Sequence, residues 1–206
     1  MYRPNFIIKW LFPALYRVKG EQSLFFTFDD GPCPETTREI LAILRQHNIK
    51  ATFFVVGENI LRYPDLMSEI INEGHQIGNH TMHHTDGFKV STTEYIRDVE
   101  QCQRIIETFT TQQVKIMRPP HGHIRWSEMF RLRKIGYQIV QWDVIAHDWE
   151  ADRSVESVVD IVHRYSRPGS IIVLHDSHKA AARSIPALRI ICDTLSYTTE
   201  KSRTSM

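Results

Sequence analysis

The sequence predicts an α/β fold, a sheet or barrel of strands separated by helices. Two observations carry that expectation. Short apolar runs alternate with longer segments of helical periodicity along the 206-residue chain, giving about six strands. Five of those runs also end in residues that do chemistry, and β/α folds hold their active sites at the carboxyl ends of strands. Leu24–Phe28 leads into Asp29-Asp30-Gly31, and Gln76–Asn79 into His80-Thr81-Met82-His83-His84. Val114–Met117 leads into Arg118-Pro119-Pro120-His121-Gly122. Tyr137–Trp142 leads to Asp143 and then Asp148-Trp149, and Ser170–Leu174 to His175-Asp176. Carboxylates, imidazoles and one arginine would then share a pocket, the layout of a metal-dependent hydrolase.

The elements follow in order. Phe6–Tyr16 is apolar but interrupted by Lys9 and Pro13, and is too short to span a bilayer. It also lacks the long apolar core and small-residue cleavage site of a secretory signal. Residues 1–20 are therefore expected to form a short helix capping the barrel floor. The sharper alternative is an interfacial anchor, because Phe6, Trp10 and Phe12 with Arg3, Lys9, Arg17 and Lys19 suit a membrane surface. Beyond the first strand, Glu35–His47 is a helix with acidic residues in its early turns and Ile40, Leu41 and Leu44 on one face. Ala51–Val56 is a buried strand ending at Gly57, and Pro64–Glu73 a helix opened by proline and stopped by Gly74. Thr92–Phe109 has the spacing of a long amphipathic helix, with Tyr95, Val99 and Ile106 among its inward positions. Trp126–Ile135, Val155–Tyr165 and Ser184–Leu195 are three further helices. No repeat or Gly/Ser linker divides residues 21–196, so one domain is expected, followed by a polar, frayed tail over 197–206.

Composition narrows the function. A net charge of +1, with basic residues scattered rather than clustered, argues against nucleic acid as a partner. Cys33, Cys102 and Cys192 are odd in number and widely spaced, which disfavours a disulfide framework or a thiolate zinc site. With no cleavable signal visible, the expected location is cytoplasmic, or peripheral to the inner membrane.

His80 and His84 are four residues apart, so on one helical turn both imidazoles would face the same way and could share an ion. Asp30 can complete a two-histidine, one-carboxylate set. Three protein ligands leave an open position for water, the catalytic arrangement. Asp29 and Asp30 can serve one pocket only if the strand breaks, and Gly31-Pro32 supplies a break. One carboxylate would then bind the cation while the other stays free as a general base. His83, His147 and Cys33 are weaker candidates for the same pocket.

The five segments resemble, in order, the motifs of NodB-like polysaccharide deacetylases (carbohydrate esterase family four), from about Leu24 to Leu195. That resemblance implies a distorted (β/α) barrel with six or seven strands. It implies Asp29 as catalytic base, His175 as general acid, and Asp30, His80 and His84 as ligands of one divalent ion. Zinc suits this nitrogen and oxygen set, with cobalt, nickel, manganese or iron as alternatives. Arg118 and Asp148 match a pair in which the arginine orients the base and the aspartate holds the arginine. Trp149 and Leu174 match the walls of a sugar groove, and His121 stands where the family usually carries tyrosine. Two further departures are Ile145, where an acidic residue is frequent, and the missing last strand after Leu195, which would leave the barrel open on one side. Asp176 is either a partner for His175 or a helix-side cap.

The implied activity is removal of the N-acetyl group from an N-acetylated amino sugar in a glycan such as peptidoglycan or a chitooligosaccharide. One rival is a deformylase or deacetylase of a lipid-linked sugar at the inner membrane face. A rival of another class is a carbohydrate-binding protein without catalysis.

Overall fold

Strand and helix alternate as the apolar periodicity requires. The computed structural model describes residues 2–111 and 115–204. Its elements are α1 (Phe6–Leu11), β1 (Phe25–Asp29), α2 (Pro34–Gln46), β2 (Thr52–Val55), α3 (Gly57–Arg62), α4 (Pro64–Asn72), β3 (Gln76–Asn79) and α5 (Thr92–Phe109). They continue with β4 (Lys115–Met117), a single 3-10 turn (Pro120–Gly122), α6 (Trp126–Lys134), β5 (Tyr137–Ile139) and β6 (Val144–Ile145). The last three are α7 (Val155–Tyr165), β7 (Ile171–His175) and α8 (Ala181–Thr204). Val114, the first residue of the third expected run, and residues 205–206 of the expected tail lie outside the described residues.

Seven parallel strands are ordered β5-β4-β3-β2-β1-β7-β6. The two edge strands are consecutive in the chain, separated only by residues 140–143. β5 pairs with β4 while β6 pairs with β7, so the sheet curls until its edges are one short connection apart. The result is a distorted (β/α) barrel. The sequence did not signal β6, because two residues are too few to carry a periodicity, and α3 was missed for a similar reason.

A parallel sheet covered on its faces needs continuous apolar strands, and Phe28, Phe53 and Val55 are fully buried. Helices α2, α4, α7 and α8 add Ile40, Leu44, Ile70, Val158, Leu188 and Ile191 to the same core. Each such side chain contributes roughly 1.5–3 kcal/mol by burial. Proline opens α2 and α4, where its missing N–H costs nothing. Ser91 and Glu94 form a capping box that starts α5, the hydroxyl accepting from Glu94 N at 3.2 Å. Helix α8 runs well past Leu195 into the expected frayed tail, since no glycine or proline stops it there.

The N-terminal segment divides in a way the sequence did not foretell. Residues 14–18 seal the seam between the sheet edges in extended form: Leu15 bridges Val140, Arg17 bridges Ser170, and Tyr16 is buried. The short helix α1 buries none of its residues, and Phe6 and Trp10 are 80% and 79% exposed. The expected helical cap with its aromatic side inward is thus corrected, because the polar side is what turns in. Asp143, its side chain fully buried, takes Lys9 Nζ at 2.7 Å, Arg3 Nη2 at 3.2 Å, Arg167 Nε at 3.1 Å and the Ser170 hydroxyl at 2.9 Å. Burial opposes its charge, but the hydrogen bonds from Lys9, Arg167 and Ser170 hold the carboxyl well below the usual range. Asp143 therefore anchors the chain's beginning to the barrel and stands outside the pocket lining.

Candidate active site

Parallel register sets the site. Asp29 and His175 are direct partners across β1 and β7, so the two strands end side by side. Asp30 has φ +83°, which breaks the strand's alternation at the residue itself and lets both aspartates line one cleft of about 510 Å³. Gly31 follows because no side chain fits: a Cβ there would sit 1.9 Å from Asp176 Oδ2. Asp176 is buried and accepts from Gly31 N at 2.9 Å and Thr37 Oγ1 at 2.7 Å. It fastens the Asp29-Asp30 turn to the first turn of α2, while the His175 ring takes Asp148 as its carboxylate partner. Burial, opposed by the Thr37 hydrogen bond and aided by Asp30 and Asp29, pushes its carboxyl up to about 7.

The spacing of His80 and His84 succeeds for a different reason than helical periodicity. Residues 80–84 form a bend, with Thr81 at φ +69° and His84 at φ +53°. Asn79 Oδ1 accepts from Thr81 N at 2.8 Å, and Asp98 Oδ2 accepts from Met82 N at 2.9 Å. Among the described residues, five of the six non-glycine residues with positive φ belong to this site's loops: Asp30, Thr81, His84, His121 and His147. Strain of this kind concentrates at functional sites.

The bend brings the His80 and His84 Nε2 atoms to 3.6 Å and 3.1 Å from Asp30 Oδ1. Ligand atoms of Asp30, His80 and His84 all lie within 4.8 Å of one another. Asp30 Oδ1 is buried yet accepts no hydrogen bond, an arrangement that a cation would complete. His80 Nδ1 faces the Arg118 carbonyl at 2.8 Å, which places the ring proton there and leaves the Nε2 lone pair for a metal. Burial lowers the His80 pKa to about 4, against the pull of Asp29, so the ring is neutral at pH 7. Burial works against the Asp30 charge, but the facing His84 ring and the positive charge of His175 keep its carboxyl well below the usual carboxylate range. The residues fit a divalent ion.

Arg118 is fully buried. Its Nη1 donates to Asp29 Oδ1 at 2.7 Å and Thr27 Oγ1 at 2.7 Å, and its Nη2 to Gln141 O at 3.0 Å. The guanidinium lies 4.2 Å from the Phe54 ring centroid. Asp148 is the correction: it does not hold Arg118. Its Oδ1 takes His175 Nδ1 at 2.8 Å and its Oδ2 takes His175 N at 2.8 Å. Burial disfavours the His175 imidazolium, but the Asp148 charge and hydrogen bond outweigh it, and the pKa rises from 6.5 to about 9.

Trp149 lines the cleft, edge-on to His175 at 4.8 Å, with the His147 ring stacked on it at 4.8 Å. His147 turns its Nδ1 to Glu150 Oε1 at 2.8 Å. His121 lines the mouth, its ring edge-on to His84 at 4.9 Å. Leu174 is fully buried in the core and does not line the cleft, because neighbours on a strand face opposite ways and His175 is the residue turned inward. His83 points away and pairs with Asp98, while Cys33 bonds Glu35 at 3.3 Å outside the ligand set. Thr27, Phe54, Gln141, Trp142 and Lys179 were missed. Thr27 opens the first motif, while for the others only their position around Arg118 or on the cleft wall marks them. A larger cleft of about 890 Å³ lies at the amino ends of β1 and β7, but its lining holds no metal-ligating cluster among the described residues.

A polysaccharide deacetylase family model matches residues 17–140. The chain belongs to the polysaccharide deacetylase family. It is 37% identical, over 82% of its length, to a peptidoglycan-N-acetylglucosamine deacetylase of Bacillus cereus, and covers 62% of that relative. It thus spans less than two thirds of that protein. A chitooligosaccharide deacetylase of Bradyrhizobium is 36% identical over 78% of this chain and 74% of its own. Among solved structures, the Bc1960 peptidoglycan N-acetylglucosamine deacetylase superposes with a TM-score of 0.87 at 33% identity, covering 95% of this chain and 92% of that one.

Proposed function

We propose that this polysaccharide deacetylase homologue removes N-acetyl groups from an N-acetylated amino sugar in a glycan, of the peptidoglycan or chitooligosaccharide class that its relatives' names give. One observation carries the reading. A carboxylate pinned by a buried arginine and an imidazolium pinned by a buried carboxylate line the same cleft as a ready-made set of three metal ligands.

Asp30, His80 and His84 would hold the ion. When bound, a divalent metal, zinc by ligand type, polarises the amide carbonyl and lowers the pKa of water towards about 7. Asp29 accepts the proton of the attacking water. Arg118 holds Oδ1 of that carboxylate, which fixes its aim and leaves Oδ2 for the water. The backbone N–H of His121, on the turn after β4, is the donor for the developing oxyanion. An amine leaves readily only when protonated, and His175, charged at pH 7 and clamped through Nδ1, delivers that proton from Nε2. Trp149 and His121 flank the sugar ring.

Acetate release from chitooligosaccharides and from N-acetylated peptidoglycan, measured with the zinc- or cobalt-loaded chain, tests the reading. Metal retention with no acetate from either substrate would overturn it and favour a binding protein.

A further inference from the structure

Eleven large apolar side chains stand exposed among the described residues, five on α1 and three on or directly after α6. Phe6 and Trp10 are 80% and 79% exposed, Trp126 and Phe130 54% and 71%. The two helices form one surface: the Phe12 ring stacks on Trp126 at 5.6 Å, and Arg133 Nη1 donates to Pro13 O at 3.3 Å. A contiguous patch of this kind marks an interaction site.

Its charge is one-sided. Residues 1–20 contain no acid, and of their four basic residues Arg3 and Lys9 are held by Asp143, which leaves Arg17 and Lys19 for the surface, in a chain whose net charge is only +1. Residues 125–142 contain Arg125, Arg131, Arg133 and Lys134, and their single acid, Glu128, is fully buried. We propose that this face docks on an anionic lipid bilayer, with Phe6, Trp10, Trp126 and Phe130 entering the interface and the exposed basic residues meeting headgroups. A second copy of the chain fits less well. A two-fold contact would set the same basic rim against itself, and like charges across an interface are costly. Among the described residues no helix is long and apolar enough to cross a membrane. Helix α6 follows the turn that carries His121, which sets the patch beside the mouth of the cleft. A glycan tethered to that bilayer would then reach the cleft without the enzyme leaving the surface.

Vesicle co-sedimentation of the full chain tests the proposal without reading turnover, so its failure is separate from failure of the deacetylase reading. Vesicles of phosphatidylcholine mixed with phosphatidylglycerol should bind the chain, pure phosphatidylcholine at least about tenfold less, and added salt should weaken the binding. The Phe6→Ser/Trp10→Ser and Arg131→Glu/Lys134→Glu variants should each lose about tenfold or more while keeping the wild-type melting temperature. Binding that ignores lipid charge, or that survives both variants, overturns the proposal. So does a concentration-dependent dimer abolished by the same substitutions, which would assign the face to a second copy.

Discussion

His80 and His175 stand in one cleft, both nearly buried, yet at pH 7 one ring is neutral and the other is protonated. Each has its Nδ1 2.8 Å from an oxygen: the Arg118 carbonyl for His80, the Asp148 carboxylate for His175. Burial pushes both imidazoles towards neutrality. A carbonyl does not overcome that push, even with Asp29 and Asp30 pulling the other way, and His80 falls to about 4. A carboxylate overcomes it, and His175 rises to about 9. The partner's charge, at equal distance, suits the same side chain to the metal-ligand role proposed for His80 in one case and to the proton-donor role proposed for His175 in the other.

The largest expected effect breaks the ligand half of that comparison. His80→Ala should reduce bound metal to background by elemental analysis. Its loss of acetate release should exceed the ~10–100-fold that removal of an outer hydrogen-bond partner costs at metal sites. Wild-type metal content in that variant would show that Asp30 and His84 hold the ion with some other residue. The proton-handling half is broken by Asp148→Asn and Asp29→Asn, each expected to keep metal while losing ~10²–10⁴ in turnover. In metal-free Asp148→Asn the His175 ring should titrate well below the wild-type value of about 9, since only the Asp30 and Asp29 charges then oppose burial, and NMR of the imidazole reads it. An unchanged titration would remove Asp148 from its role. Equal metal loss in Asp29→Asn and Asp30→Asn would mean that base and ligand are divided wrongly.

How much of this was legible follows the length scale of each signal. Apolar runs and the residues that end them placed β1, β3, β4, β5 and β7 and brought Asp29, Asp30, His80, His84, His121, Trp149 and His175 to one cleft, with Arg118 buried behind Asp29. Side-chain partnership was not legible, because it depends on angles set by the whole barrel. Asp148 and Arg118 come from different loops, and nothing local says that Asp148 turns to His175. The i, i+4 spacing of His80 and His84 pointed to the right pair through the wrong geometry, as strained φ values at Thr81 and His84 do the work of a helical turn. The direction of α1 was hidden for a related reason. Its aromatic residues suggested burial, but the buried carboxylate that draws Lys9 and Arg3 inward lies 134 and 140 residues away from them in the chain.

A smaller effect sharpens the comparison through stability. The His175 pKa is above its unfolded value, so its contribution is complete below pH 6.5 and is lost as pH rises through about 9. A shift of that size corresponds to about 3 kcal/mol. Asp176, also raised, is lost earlier, as pH rises from the ordinary carboxylate range through about 7. His80 has the opposite sign: its contribution is present above 6.5 and lost as pH falls through about 4. Urea unfolding of the metal-free chain should therefore show stability falling between pH 6.5 and 9, and Asp148→Asn should flatten that fall. A wild-type profile that stays level across this window would mean that the Asp148–His175 pair is not charged in the folded state.

The smallest effect carries the same rule to the outside of the barrel. Asp143, like Asp148, is a buried carboxylate that recruits cations, here Lys9, Arg3 and Arg167. Lys9→Met removes the shortest of these contacts but leaves the other two, so the uncompensated charge is only partial. A loss of about 1 kcal/mol is expected, which is ~2–4 °C in melting temperature for a chain this size. Trp10→Ser, one residue along the same helix, should stay within about 0.5 kcal/mol, because its ring stands in solvent. Melting curves of the two variants decide which side of α1 the barrel uses. If Trp10→Ser lowers the transition as much as Lys9→Met does, the aromatic side is packed on protein and the helix is held by apolar contact. If only Lys9→Met does, the buried carboxylate holds the segment, and the aromatic side is free for a partner.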